Sequence, residues 1–294
     1  MGIVSAAARA RCLQLGGEHL ARVGASGDRG RTVRRDGHRT REYDPGVDMW
    51  KYYGITHADH VVCNPTSSER LDECFELLEL ASGATAWEAA SGKGEFLIRL
   101  VERYGVRGTG IDISPYEVPV ARERAASRVP EADLRFIEAD AATLPAAPDS
   151  VDLAICLGAS WIWGGYRGTL VELRRIARPG GLIVVGEPYW IHDPDPAYLA
   201  SSGMTADLFS TVDGNLAIAR EEGLTPLYLQ PSRLEDWDRY QFLQLRAAER
   251  YAATHPDDPD VAELLERTHK ENDEYLRWGR DTLGWGIYLF RRPD

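Results

Sequence analysis

The chain has 294 residues, 44% of them hydrophobic, which is enough to bury a full core in one elaborated domain or in a domain with a lid. Its formal net charge of −12 disfavours a nucleic-acid substrate, because phosphate backbones require a basic surface. No apolar run approaches the roughly 20 residues that a membrane-spanning helix needs. We therefore expect a folded protein with neither a nucleic-acid nor a membrane partner.

The cysteines favour a cytoplasmic protein. Cys12, Cys63, Cys74 and Cys156 form no Cys-x-x-Cys pair and show no regular spacing. Such a set predicts neither a disulfide framework nor a zinc site, so reduced thiols and no bound metal are expected.

The first 41 residues differ from the rest of the chain. They hold nine arginines and three acidic residues, a local net charge of +6. The rest of the chain must therefore carry −18 to give the total net charge of −12. Such a segment resembles a transit peptide, a disordered tail or an over-extended translation start. The first segment with the composition of a folded domain begins at Met49. We therefore favour an artefactual or disordered extension, residues 1–48, that contributes no catalytic or binding residue.

The elements that follow alternate between helix and strand. The first helix is predicted to begin at the capping box Thr66-Ser-Ser-Glu. The further predicted elements are, in chain order, strand 84–89, helix 94–104, strand 108–113, helix 115–128, strand 134–138, strand 151–157, helix 169–176 and strand 182–186. Strands that alternate with helices indicate a parallel sheet with helices on both faces, an α/β fold.

The C-terminal third departs from this alternation. Residues 227–230 and 286–290 are predicted strands, and 237–278 are predicted to be largely helical, with a break at His255-Pro-Asp-Asp-Pro. We therefore predict one domain, 49–294, with an N-terminal cap at 49–80 and a helical insertion at about 237–281.

A glycine turn carries the first functional signal. Gly92 and Gly94 follow the first strand, where the absence of a Cβ allows a sharp turn and a close approach to a ligand. Asp112 lies about 20 residues further on, where an acid at the carboxyl end of a strand accepts hydrogen bonds from ribose hydroxyls. The pair predicts a cofactor that contains a nucleoside.

The ordered motifs resemble class I S-adenosylmethionine-dependent methyltransferases. They are Glu88-Ala-Ala-Ser-Gly-Lys-Gly, the strand ending in Asp112, Glu138-Ala-Asp-Ala, Asp149-Ser-Val-Asp-Leu-Ala-Ile and Arg178-Pro-Gly-Gly-Leu-Ile-Val. The resemblance covers about residues 66–190 in its motifs, together with the final strand pair, and implies S-adenosyl-L-methionine as the cofactor. It also implies a doubly wound, mostly parallel seven-stranded sheet with an antiparallel last strand and a helical cap or insertion.

The resemblance also implies which residues hold the cofactor. The glycine turn wraps the methionine part of the cofactor, and Asp112 binds the ribose. The implied set is Glu88, Ala90, Gly92, Gly94, Asp112, Ile113, Asp140, Ala141 and Leu157. Ala90 departs from the family pattern, which has glycine there, and its methyl group fits if the backbone φ angle is negative.

The acceptor side is expected at the carboxyl ends of strands four and five, where ligands of open α/β sheets bind. We expect an aromatic wall for the acceptor, with Tyr53, Trp161, Trp163, Tyr189 and Trp190 as its candidates. The candidate general bases are His57, His60 and Glu187. All are expected to line one cleft.

The resulting hypothesis is a methyltransferase that acts on a small-molecule acceptor. A nicotinamide-dependent oxidoreductase on a related sheet is one alternative, disfavoured by Pro-Gly-Gly before strand five and by the C-terminal strand pair. A non-catalytic S-adenosylmethionine-binding regulatory protein is the other. The acceptor, the atom methylated and the oligomeric state stay open.

Overall fold

A computed structural model describes residues 48–294. The predicted extension, residues 1–48, lies outside this range except for Asp48, and so does Cys12. No helix within the described range is both long and apolar enough to cross a membrane.

The described residues form one seven-stranded sheet with helices on both faces. The strands are β1 Thr85–Ala89, β2 Arg107–Asp112, β3 Leu134–Glu138, β4 Val151–Leu157, β5 Ala177–Trp190, β6 Thr225–Pro231 and β7 Leu283–Arg291. The sheet order is β3-β2-β1-β4-β5-β7-β6, with β7 antiparallel to β5 and β6 and the pairs from β3 to β5 parallel. The predicted fold class is confirmed.

The helices alternate with the strands and then gather before β7. They are α1 Met49–Thr56, α2 Ser68–Glu76, α3 Glu95–Tyr104, α4 Glu117–Arg128, α5 Tyr166–Ile176, α6 Pro196–Ser202, α7 Val212–Glu221, α8 Leu234–Thr254, α9 Val261–Glu274 and α10 Arg280–Thr282. A π-helical turn, Tyr275–Gly279, joins α9 to α10, and two 3-10 turns occupy Ser160–Trp163 and Ala206–Leu208.

Two apolar clusters fill the two faces of the sheet. One contains buried residues of α2, α3 and α4, such as Phe75, Leu97 and Val118. The other contains buried residues of α1 and α5, such as Tyr52 and Leu170. Alternate side chains of β4 contribute to the two clusters, which explains why its sequence is almost entirely apolar.

Three local predictions need correction. The helix predicted from the capping box begins one residue later than expected, because Ser67, and not Thr66, caps it by accepting from the amide of Arg70. Arg178-Pro-Gly-Gly does not precede β5 but bulges out of it, since Val151 pairs with Ala177 while Leu153 pairs with Leu182. Helices α1, α6 and α7 were not predicted.

Candidate functional site

The chain reverses its strand order between β1 and β4. Strand β1 pairs with β2 on one side and with β4 on the other. In open α/β sheets such a switch point leaves a crevice at the carboxyl ends of the strands, where ligands bind. The predicted glycine turn leaves β1 at this crevice.

The turn has a left-handed backbone at three positions. The φ angle is +51° at Gly92, +73° at Gly94 and +53° at Ala90. A Cβ on Gly94 would lie 2.4 Å from the ring of Phe136, so glycine is required there. The condition of a negative φ at Ala90 is not met, because the turn keeps a conformation that suits glycine and Ala90 adopts it.

Asp112 ties this turn to the end of β2. Its Oδ2 accepts from the amide of Gly92 at 2.8 Å, and its Oδ1 accepts from the amide of Ser114 at 2.8 Å. The side chain is buried. A carboxylate held by two backbone amides keeps further lone pairs in a fixed direction, which is the geometry that paired hydroxyls need.

Two buried polar groups of β1 and the turn have acceptor or donor capacity left. Glu88 Oε2 and Ser91 Oγ have no hydrogen-bond partner among the described residues. Burial raises the pKa of Glu88 well above its ordinary value. Buried groups of this kind are satisfied when a polar ligand supplies the missing bonds.

Two small cavities flank the residues named so far. The first is lined by Trp50, Tyr53, His57, Cys63, Asp112, Ser114 and Glu117. The second is lined by Val61, Val62, Cys63, Asn64, Glu88, Ala90, Ser91, Gly92, Lys93, Glu95, Phe96 and Leu157. Cys63 lies between them, and residues 57–64, here called the covering segment, close both. Aromatic rings beside carboxylates suit a nucleoside in the first cavity.

The remaining residues of the predicted cofactor set have different surroundings. Asp140 is exposed, and its Oδ1 accepts from the amide of Ala142. Ala141 and Leu157 are buried, while Ile113 is exposed beside Asp112. The set thus follows the carboxyl ends of β1, β2, β3 and β4 in order.

The two candidate histidines lie together against α8. Their ring centroids are 4.8 Å apart. His57 Nδ1 lies 3.2 Å from the Tyr53 carbonyl, so it carries the proton, and Nε2 accepts from the hydroxyl of Tyr240 at 2.9 Å. His60 Nε2 donates to the Tyr240 carbonyl at 3.0 Å, which leaves Nδ1 as a buried acceptor without a partner within residues 48–294.

A groove continues from the covering segment towards α8. It is lined by His60, Val61, Val62, Asn64, Thr66, Ser67, Ser68, Glu69, Asp236, Arg239, Tyr240 and Leu243. It shares Val61, Val62 and Asn64 with the cavity at the glycine turn. Both candidate histidines thus lie beside open space, His57 at the first cavity and His60 at this groove.

Glu187 and the aromatic candidates lie at the ends of β4 and β5. Glu187 Oε1 accepts from the hydroxyl of Ser160 at 2.9 Å. Trp163 lies 6.4 Å from Trp87 between ring centroids, and Trp161 is half-buried.

The last two aromatic candidates follow Glu187 on β5. Tyr189 packs over Gly284 of β7. Trp190 is buried, and its indole donates to the carbonyl of Ala206 at 2.8 Å. The structure thus forms one group around the histidines and Tyr53 and another around Glu187. The single cleft that would unite them stays a prediction.

Four further residues of the site were not singled out from the sequence. Tyr240 and Ser160 contact candidate bases, Glu117 lines the first cavity, and the Lys93 ammonium is buried under the covering segment. Lys93 could have been singled out from the sequence, because it is a cation within the glycine turn. Tyr240 could not, because it lies 183 positions from His57. Within residues 48–294, no cluster of histidine, cysteine and acidic side chains is arranged to hold a metal ion.

The fold and this site define a class of protein. A glycine turn at the switch point and an acid at the end of β2 are features of a protein that binds a nucleoside cofactor, and the antiparallel β7 is the last strand that the resemblance to class I methyltransferases implies.

Comparisons with known proteins identify the family. Residues 86–181 match the methyltransferase-domain family. A solved S-adenosylmethionine-dependent methyltransferase from Geobacter sulfurreducens, in complex with S-adenosyl-L-homocysteine, is 30% identical with a TM-score of 0.77, over 82% of this chain and 97% of that one. The uncharacterised Escherichia coli protein YjhP is 29% identical over 82% of this chain and 98% of its own length. The 27-O-demethylrifamycin SV methyltransferase of Amycolatopsis mediterranei is 25% identical over 83% and 90%.

The chain belongs to the S-adenosylmethionine-dependent methyltransferases. It is an enzyme of this family, and its cofactor is S-adenosyl-L-methionine. The predictions of family, enzyme class and cofactor are confirmed, and the nicotinamide-dependent and non-catalytic alternatives are set aside.

Proposed function

We propose that this methyltransferase acts on a small-molecule acceptor. The observation that carries the proposal is the covered carboxyl edge: the covering segment closes the cavities of the glycine turn, and α8 packs on α1 behind it. A macromolecular acceptor requires an open surface, and a nucleic acid also requires a basic one, whereas this chain carries −12. The rifamycin methyltransferase relative, named for a small molecule, supports the same class.

The cofactor contacts are proposed from the geometry. Asp112 receives the ribose hydroxyls on the lone pairs that Gly92 and Ser114 leave open. The carboxyl group of Glu88 and the hydroxyl of Ser91 hold the methionine part, and they thereby gain the bonds they lack. The turn from Ala90 to Gly94 wraps this part, while Asp140, Ala141 and Ile113 hold the adenine and Leu157 packs beneath.

Methyl transfer asks the protein mainly for alignment and exclusion of water. When bound, the cofactor supplies an activated methyl group. The covering segment excludes water, and a base accepts the proton of an acceptor that arrives as a hydroxyl, amine or thiol. Both ring nitrogens of His57 are occupied by protein contacts, so His60 and Glu187 are the better candidates. Trp161, Trp163, Tyr189 and Trp190 remain proposed acceptor contacts.

Isotope profiling tests the acceptor class. The protein is incubated with methyl-labelled S-adenosylmethionine and a bacterial extract divided by size into metabolites and macromolecules. We expect label in the metabolite fraction, and none with the Asp112→Ala variant. Label confined to the protein or nucleic-acid fraction would contradict the proposal while leaving the family assignment intact.

A further inference from the structure

Lys93, in the middle of the glycine turn, sends its side chain away from the turn. The residue is buried, and its ammonium donates to three backbone carbonyls: His57 at 2.6 Å, Ala58 at 3.3 Å and His60 at 3.1 Å. An ammonium has three donors, and here each has a carbonyl within reach. The three carbonyl oxygens of this short segment thus take the place of the water molecules that would hydrate an exposed ammonium group.

These carbonyls lie where α1 ends. His57 is its C-terminal cap, and its carbonyl also accepts from the amide of His60 at 3.0 Å. A cation at the C-terminus of a helix is also favoured by the helix dipole. The contact therefore stabilises the junction between α1 and the covering segment, residues 57–64.

The opposite side of the covering segment is held by α8. His57 and His60 both bond to Tyr240, and Arg250 donates to Asp59 at 3.0 Å. Its inner side closes the cavities: Cys63 lines both of them. Through Lys93 the segment is thus connected to the backbone that wraps the cofactor.

We propose that Lys93 is a positioning residue that latches the covering segment over the bound cofactor. Its ammonium fixes the segment to the glycine turn, so cofactor exchange requires these bonds to break, and cofactor binding in turn holds the segment closed. Lys93 acts through the segment and does not touch the reacting atoms. The proposal rests on the cofactor site proposed above and is independent of the acceptor.

Cys63 provides the reporter for a test. Cys63 is buried, with 9% of the residue exposed, and burial raises the pKa of its thiol to about 11, so we expect it to react when the segment opens. Cys74 and Cys156 are buried in the core and report global unfolding. A Cys12→Ser background removes the remaining thiol. Alkylation by iodoacetamide is followed for each cysteine by mass spectrometry, with and without S-adenosylhomocysteine.

In the Cys12→Ser protein, saturating S-adenosylhomocysteine should slow the alkylation of Cys63. In Lys93→Met, three carbonyls lose a charged donor, so Cys63 should react about tenfold faster or more, with Cys74 and Cys156 unchanged. The KM for S-adenosylmethionine should rise more than kcat falls. Lys270→Met, the same change at an exposed lysine that bonds Ser201, should leave Cys63 unchanged.

Lys93→Arg carries the test if Lys93→Met does not fold, because a planar guanidinium keeps the charge but cannot reproduce three converging contacts. Equal acceleration of all three cysteines would show a general stabilising contact and overturn the latch. So would an unchanged Cys63 rate in both variants. If S-adenosylhomocysteine binds by calorimetry without protecting Cys63, the cofactor site stands and the latch does not.

Discussion

At the residue scale, the glycine turn keeps its left-handed backbone conformation at Ala90, although this residue is not a glycine. Ala90 occupies a position where the family pattern has glycine, and its φ angle of +53° keeps the left-handed backbone of the turn. An L-residue with a Cβ pays about 1–2 kcal/mol there, because the Cβ approaches the following carbonyl. The surrounding contacts, among them the Gly92–Asp112 bond, hold the turn in place.

Ala90→Gly should therefore stabilise the protein. The free energy of unfolding should rise by about 0.5–1 kcal/mol, since relief of the strained φ angle exceeds the added entropy of the unfolded chain. Denaturant titration measures the change. The matched control is Ala126→Gly, at an exposed position of α4, which should lose about 1 kcal/mol. A loss of stability in both variants would show that the backbone at Ala90 is unstrained.

The candidate bases His60 and Glu187 each already make one hydrogen bond within the protein, to the Tyr240 carbonyl and the Ser160 hydroxyl. His60→Gln keeps an N–H donor for the Tyr240 carbonyl and removes the basic Nδ1, while Glu187→Gln keeps the shape and removes the charge. With the acceptor found by isotope profiling, one of these variants should lower kcat by about 10²–10⁴, and the loss should shrink at higher pH if the acceptor ionises unaided. Undiminished turnover in both variants would show that the acceptor arrives deprotonated or that the base lies elsewhere.

At the scale of elements, the cap and α8 meet through buried imidazoles. Burial lowers the pKa of His57 well below its ordinary value and that of His60 to about 4, and the Lys93 ammonium lowers both further. The folded state therefore binds fewer protons than the unfolded state between about pH 4 and the ordinary histidine pKa of 6.5. Stability must then fall as the pH is lowered through this window.

Denaturant titrations from pH 7 to pH 4 test this coupling. The free energy of unfolding should fall with a slope approaching about 1.4 kcal/mol per pH unit for each histidine. The His57→Gln, His60→Gln double variant should show a flatter profile, whereas His255→Gln, at the exposed end of α8, should follow the wild type. The same slope in the double variant would assign the acid sensitivity to other groups.

At the scale of the whole molecule, local sequence patterns predicted the sheet better than they predicted the functional site. Strands β3 and β4 have the predicted bounds, because short apolar runs between turns leave few alternatives. The break near His255 and the antiparallel β7 also agree with the structure. Helix α1 was missed, since Gly54 and two tyrosines weaken its helical signal.

The site could be predicted only where its contacts are local in sequence. Asp112 lies 20 positions from Gly92, and a known strand–helix–strand unit brings them together. The partners of the covering segment lie far along the chain, as with Asp59 and Arg250, 191 positions apart. Such contacts depend on how the helices before β7 pack on α1, which neither periodicity nor spacing reveals.

The central claim is that the glycine turn and Asp112 hold S-adenosylmethionine. The most direct measurement is a calorimetric titration of the protein and of Asp112→Ala with S-adenosylhomocysteine, with NAD as the control ligand. We expect binding of S-adenosylhomocysteine and none of NAD, and a loss of about 1–3 kcal/mol in the variant, because its charge-assisted bonds to the ribose are removed. Equal affinity of the two proteins would place the ribose elsewhere, and binding of NAD alone would contradict the account.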